Sequence, residues 1–80
     1  MIEAYILLTL EADKIPNTLR EILKKVPEIT EAKGLTGPYD GILHVRAKNL
    51  KELTLKIVPA IYKIDGVIDT TTAIVIDSED

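Results

Sequence analysis

Apolar residues along this chain switch between the two-residue spacing of a strand and the 3.6-residue spacing of a helix. They do so in the order β-α-β-β-α-β, from which few sheets can be built. Residues 2–10 form a short aliphatic run that reads as a strand with apolar side chains on both faces. Pro16 suits a first helical turn, where its missing N–H is no loss. Ile15, Leu19, Ile22, Leu23 and Val26 then recur at helical spacing, with Arg20, Glu21, Lys24 and Lys25 opposite, until Pro27 stops the helix. Residues 28–37 read as a more polar strand, 37–41 (Gly-Pro-Tyr-Asp-Gly) as a turn, and 42–47 as a third strand, so 28–47 is a hairpin. Asn49 with Glu52 makes a capping box for a second helix whose Leu53, Ile57, Ile61 and Ile64 share one face. Pro59, inside that helix, removes a backbone hydrogen bond and predicts a kink or break. Asp65-Gly66 ends it, Val67 to Ile76 is a β-branched fourth strand, and Asp77 to Asp80 a frayed acidic tail.

Two βαβ halves with right-handed crossovers give one domain over 1–80, an α+β ferredoxin-like βαββαβ sandwich. Its four-stranded antiparallel sheet carries both helices on one face. The other face should then be polar in a monomer. It is not: Ala4, Ile6 and Leu8 point one way along the first strand, yet Tyr5 and Leu7 point the other. In the fourth strand Ile74 and Ile76 oppose Ala73 and Val75. Burying each aliphatic side chain contributes roughly 1.5–3 kcal/mol, against about 5–15 kcal/mol for a whole small domain. The expectation is a homodimer paired sheet to sheet, a dimeric α+β barrel; a monomer with an apolar surface is the alternative.

Size points the same way. An 80-residue chain is short of core, and such chains recruit disulfides, a metal or a partner. There is no cysteine, and His44 is the single soft ligand, so neither a disulfide nor a metal site is expected. Thirteen acidic and ten basic residues are interleaved to a net charge of −3, with no basic face for phosphates, so direct nucleic-acid contact is not expected. The amino terminus lacks a leader pattern and no apolar run is long enough to span a bilayer. The chain reads as cytoplasmic, without membrane contact and without a cofactor.

Two stretches then carry a resemblance. Thr36-Gly37-Pro38-Tyr39-Asp40 at the hairpin, followed by Ile42-Leu43-His44-Val45-Arg46-Ala47, is one; Ile64-Asp65-Gly66-Val67-Ile68-Asp69-Thr70-Thr71-Thr72-Ala73-Ile74-Val75 is the other. Together they resemble the effector-binding (RAM) domain of Lrp/AsnC, or leucine-responsive, feast-famine, transcription regulators, over essentially the whole chain. The helix-turn-helix that precedes this domain in those regulators is missing, so the chain looks like a stand-alone version. The resemblance implies sheet-paired dimers that assemble into higher oligomers, with amino acids or similar small metabolites bound between dimers; the function expected from it is a sensing and oligomerisation module, for which full-length Lrp/AsnC-type regulators are candidate co-assembly partners.

A free amino acid sets physical demands on such a site. Its ammonium needs an acceptor, which Asp40 supplies. Its carboxylate needs donors with no Cβ in the way, which backbone N–H groups around Gly37 and Gly41 provide, and Thr36 next to Gly37 is counted with the site. Hydroxyls of Thr70 and Thr72, on one face of an edge strand, can donate or accept, and Tyr39 can wall the pocket. Each has a plainer role available: Gly37, Pro38 and Gly41 simply making a turn, Asp40 capping that turn, the threonines as ordinary β-formers, Tyr39 at an oligomer contact. No Ser, Cys or carboxylate pair stands beside His44 at a recognisable spacing, and no catalytic residue is assigned.

Three other functions remain open on sequence grounds. One is a small enzyme of the dimeric ferredoxin-like barrel type, monooxygenase- or isomerase-like, which needs a pocket around His44 or Tyr5. Another is an ACT-type regulatory domain, disfavoured because the loop after the first strand, Glu11 to Ile15, has no glycine. The last is a purely structural subunit.

Overall fold

The computed structural model describes residues 1–78. Strand β1 (Ile2–Leu10) leads through a short 3-10 turn (Ala12–Lys14) into helix α1 (Ile15–Lys25). Strands β2 (Ile29–Gly34) and β3 (Gly41–Ala47) form the hairpin, and β4 (Val67–Ile74) closes the sheet. The second helix, α2, is three consecutive pieces: α-helical Leu50–Glu52, a π turn over Leu53–Ile57, and α-helical Val58–Tyr62. The sheet order is β2-β3-β1-β4, every pairing antiparallel, which is the ferredoxin-like sandwich. The acidic tail predicted over 77–80 lies partly outside the described residues.

Period-two alternation decides which face is covered. Ala4, Ile6, Leu8 and Leu10 of β1 and Leu43, Val45 and Ala47 of β3 are buried beneath the helices. Ile22 of α1 and Leu53, Ile57 and Ile61 of α2 meet them there. A side chain such as Ile6, wholly removed from water, contributes about 1.5–3 kcal/mol.

The helix ends follow their sequence signals. Lys24 and Lys25 sit in the last turn of α1, where they oppose the negative end of the helix dipole. Asn49 Oδ1 accepts from the Glu52 N–H at 2.9 Å, while Glu52 Oε1 reaches back to the Lys48 N–H at 2.9 Å. The box therefore forms, with its return arm one residue earlier than the usual pattern. The trouble at Pro59 is absorbed without a break. The helix widens by one residue just before the proline, so that the Val58 N–H reaches the Leu53 carbonyl.

The two halves of the chain meet at Gly66. Its φ of +98° lies in the region that favours glycine, and a Cβ built there would stand 2.1 Å from Thr18 Oγ1. Thr18 is buried, and its hydroxyl donates to the Asp65 carbonyl at 2.9 Å. The Gly66 carbonyl accepts from the Glu11 N–H at 2.9 Å. Above this seam, Lys14 pairs with Glu11 and Asp65, first of all by its contact with Glu11, and its ammonium is held above the ordinary lysine value.

Candidate functional site

Thr36, Gly37, Tyr39 and Asp40 lie together in the loop between β2 and β3, over the end of β1. Gly37, at φ +123°, makes the left-handed step. Asp40 is bound into the sheet by three bonds. Its N–H donates to the Leu8 carbonyl and its carbonyl accepts from the Leu35 N–H, each at 2.8 Å, and its Oδ2 accepts from the Leu10 N–H at 2.8 Å. β3 begins opposite Leu8, so beyond that point β1 has no strand on this side. The Asp40 side chain takes the place of the missing backbone acceptor. Its second oxygen, Oδ1, has no protein partner among the described residues.

Thr70 and Thr72 are on β4, opposite Leu8 and Ile6. They share a face, as expected on an edge strand, and it is the helix-covered one. Gly41 and Thr70 both stand against Leu8 from its two sides, which separates them by two strand spacings, about 10 Å. The structure thus gathers four of the six candidates into one loop and sets the two threonines across β1 from it. The free edge at Thr70 is closed by Tyr62 of α2, whose hydroxyl donates to Asp69 Oδ1 at 2.7 Å and accepts from the Thr70 N–H at 3.1 Å. The Tyr62 hydroxyl, then the Thr70 N–H, hold the Asp69 carboxyl below its ordinary range.

The uncovered face presents successive rungs across the sheet. Lys33, Ile42, Leu7 and Thr71 form one; Glu31, His44, Tyr5 and Ala73 the next; Arg46 and Glu3 a third. Leu7 and Ile42 therefore lie side by side at its centre, with Tyr5, 40% exposed, beside them.

Residues that sequence spacing did not connect come together on this face. His44 Nε2 meets Glu3 Oε2 from β1, and its Nδ1 meets Thr30 Oγ1 from β2. The Tyr5 ring lies at 5.1 Å, centroid to centroid. A β-bulge in β2 between Ile29 and Glu31 turns Thr30 toward the ring. Glu3 was legible: it shares the parity of Tyr5 and Leu7 on β1. Thr30 was not, since nothing in the sequence marks the bulge. Both His44 and Tyr5 lie on this uncovered face, and the opposite side of the sheet is filled by core side chains. Among the described residues no group of three His, Cys, Asp or Glu could hold a metal ion, and no helix is long and apolar enough to cross a membrane.

Comparison with known proteins agrees with this architecture. Residues 3–79 match the family model described as the Lrp/AsnC ligand binding domain. The HTH-type transcriptional regulator FL11 of Pyrococcus furiosus is 36% identical over 73 residues, covering 91% of this chain and 47% of the regulator. The chain thus spans about half the length of the curated relatives it matches. The crystal structure of TTHA0845 from Thermus thermophilus superposes with a TM-score of 0.88 at 28% identity, covering 100% of this chain and 99% of that one. The transcriptional regulator NMB0573 of Neisseria meningitidis, solved as a complex with L-Met, shares the fold at a TM-score of 0.85 and 19% identity, over 99% of this chain and 52% of its own. With a family model spanning nearly the whole sequence and the ferredoxin-like sheet order beneath it, this chain belongs to the Lrp/AsnC ligand-binding domain family.

Proposed function

We propose that the chain is a sensing and assembly module: it pairs sheet to sheet with a second copy, and such dimers bind an amino acid or similar small metabolite where they meet. The observation that carries this reading is the uncovered sheet face, with Leu7 against Ile42 at its centre and Tyr5 and Ala73 adjoining. A second copy laid on that face buries these side chains and lets a small domain borrow core. For the ligand, Asp40 is the first candidate. One carboxylate oxygen holds the end of β1, and the other remains available to an ammonium group. The L-Met complex of a protein with the same fold supports an amino acid as ligand class. The site reading takes Thr36, Gly37, Tyr39 and Asp40 from one protomer, with Thr70 and Thr72 reached across an assembly contact. Regulation of transcription would follow by co-assembly with full-length regulators of the family.

The test combines light-scattering mass with a thermal-shift screen against the twenty amino acids. The expected result is a mass that is a multiple of the dimer and a response to at least one amino acid, with Leu7→Glu reducing the mass to that of one chain. A stable monomer at micromolar concentration that responds to none of them overturns the reading.

A further inference from the structure

The cluster around His44 has no part in the sensing role just described, yet it occupies the face on which a second copy would sit. The His44 side chain is 15% exposed, and both ring nitrogens are engaged, by Glu3 and by Thr30. Thr30 Oγ1 also donates to the backbone carbonyl of His44 at 3.1 Å. A hydroxyl has one proton to give. With it directed to the carbonyl, Thr30 Oγ1 can only accept from Nδ1, which must carry a hydrogen. A carboxylate only accepts, so Nε2 must carry one as well. This hydrogen-bond arrangement is complete when the ring is an imidazolium ion-paired with Glu3. A neutral ring requires the Thr30 proton to leave the carbonyl and turn onto Nδ1.

Glu3 has a second cation within reach. Its direct cross-strand neighbour on β3 is Arg46, on the same face, where opposed Cβ atoms lie about 4.5–5.5 Å apart. The Arg46 guanidinium forms no ion pair among the described residues. The charged and titratable groups around His44 are therefore Glu3 and Tyr5 on β1, Glu31 on β2 (itself paired with Lys33 at 3.6 Å) and Arg46 on β3, with Met1 and its amino group lining a hollow beside Glu3 and Arg46. β4 does not reach it, because β1 lies between.

The geometry points to proton-linked sheet pairing: the uncovered face accepts a second copy of this chain with His44 protonated, and releases it as His44 loses its proton. This rests on the sheet-pairing reading above. His44 is in the rung next to Leu7 and Ile42, so any copy that covers those two also takes water from His44 and Glu3. Covered as an ion pair with Thr30 completing the donors, the cluster has its charges matched. Deprotonated, the ring can keep its Nε2–H on Glu3 only by taking the Thr30 hydroxyl from the His44 carbonyl, and the desolvated Glu3 carboxylate then faces a neutral partner or is drawn toward Arg46; either change opposes the contact. Histidine is the side chain whose ordinary titration falls between about pH 5 and 8. The dimer then holds more protons than two separate chains, so association is strongest at the acid end and weakens as pH rises. Each linked proton changes the dissociation constant by about tenfold per pH unit, and two copies supply two such sites.

The experiment is sedimentation equilibrium across that pH interval on the full chain, with His44→Gln and Glu3→Gln alongside. Glutamine at 44 still offers an N–H to Glu3 but does not titrate; glutamine at 3 removes the carboxylate while keeping its shape. The wild-type dissociation constant is expected to rise by about tenfold or more from the acid to the alkaline end, and that of either variant to stay within about twofold. The slope is the readout, so a variant that dimerises more weakly throughout still reports. A dimer whose affinity is flat with pH overturns the linkage and leaves sheet pairing standing. So does a slope that persists in both variants. A chain that is monomeric at every pH overturns both.

Discussion

Replacing Gly66 with alanine probes the seam that joins the two βαβ halves. Two costs can be worked separately. A side chain held at φ +98° is disfavoured by about 1–2 kcal/mol. The new Cβ would also stand 2.1 Å from Thr18 Oγ1, far inside contact distance, so Thr18 must turn away and give up its bond to the Asp65 carbonyl. Thr18 is buried, and stranding a buried hydroxyl costs about 1–3 kcal/mol. Gly66→Ala should therefore destabilise by about 2–5 kcal/mol, which lowers Tm by at least about 8 °C in a domain of this size. Thermal unfolding followed by circular dichroism reads this, with chain concentration held constant because association shifts apparent stability. The double variant separates the costs: with Thr18→Ala already in place the hydroxyl clash is gone, only the closer contacts to the Cβ atoms of residue 18 and Lys14 at 3.3 and 3.4 Å remain, and Gly66→Ala should cost little more than the backbone share. An equal penalty in both backgrounds, or less than about 1 kcal/mol in the wild type, refutes the steric argument.

Asp40→Ala should lower stability by about 1.5–3 kcal/mol, the worth of a hydrogen bond to a charged group, because the Leu10 N–H loses its acceptor. Asp40→Asn keeps an oxygen there and should retain most of that stability while losing amino-acid affinity, as read by urea unfolding beside calorimetry; unchanged affinity in Asp40→Asn clears the carboxylate of a ligand role. At the far end of the molecule, Lys56 holds the Glu28 carboxyl below its ordinary 4.5, and Glu28 holds Lys56 above its ordinary 10.5. Their joint contribution is therefore full between those values, falls away as acid protonates Glu28, and is lost again as alkali deprotonates Lys56. Lys56→Gln should accordingly lower the urea midpoint slightly at neutral pH and by less near pH 3, the Lys56 end of the pair being exposed to solvent.

Much of the fold was readable from side-chain period alone. Alternation on β1 and β3 separated the covered set, Ala4, Ile6, Leu8, Leu43 and Val45, from Tyr5, Leu7 and Ile42. Local hydrogen-bonding chemistry was equally legible: Asn49 and Glu52 cap α2, and Gly66 takes the positive φ that its place after Asp65 implied. What eluded sequence reasoning depends on register, which no single segment encodes. Glu3 and His44 are 41 residues apart, and their meeting is set by how β1 slides along β3. Thr30 needed the bulge in β2 as well. Asp40 was anticipated as a ligand group or a cap for its own turn; in place of the turn cap, one of its carboxylate oxygens serves a strand 30 residues away, which no local pattern announces. The disturbance at Pro59 was placed correctly, but its form, a wide turn in place of a bend, follows from how Leu53, Ile57 and Ile61 are all kept beneath the sheet.

That wide turn gives α2 a spare residue. In a relative with no proline at position 59, removing one position from Leu53–Ile57 would let the backbone close into an ordinary α-helix, with the strands at either end undisturbed. The segment is thus a tolerant place for a one-residue length change during divergence. Relatives aligned by helical phase and relatives aligned by residue count will then disagree across it, although their sheets coincide.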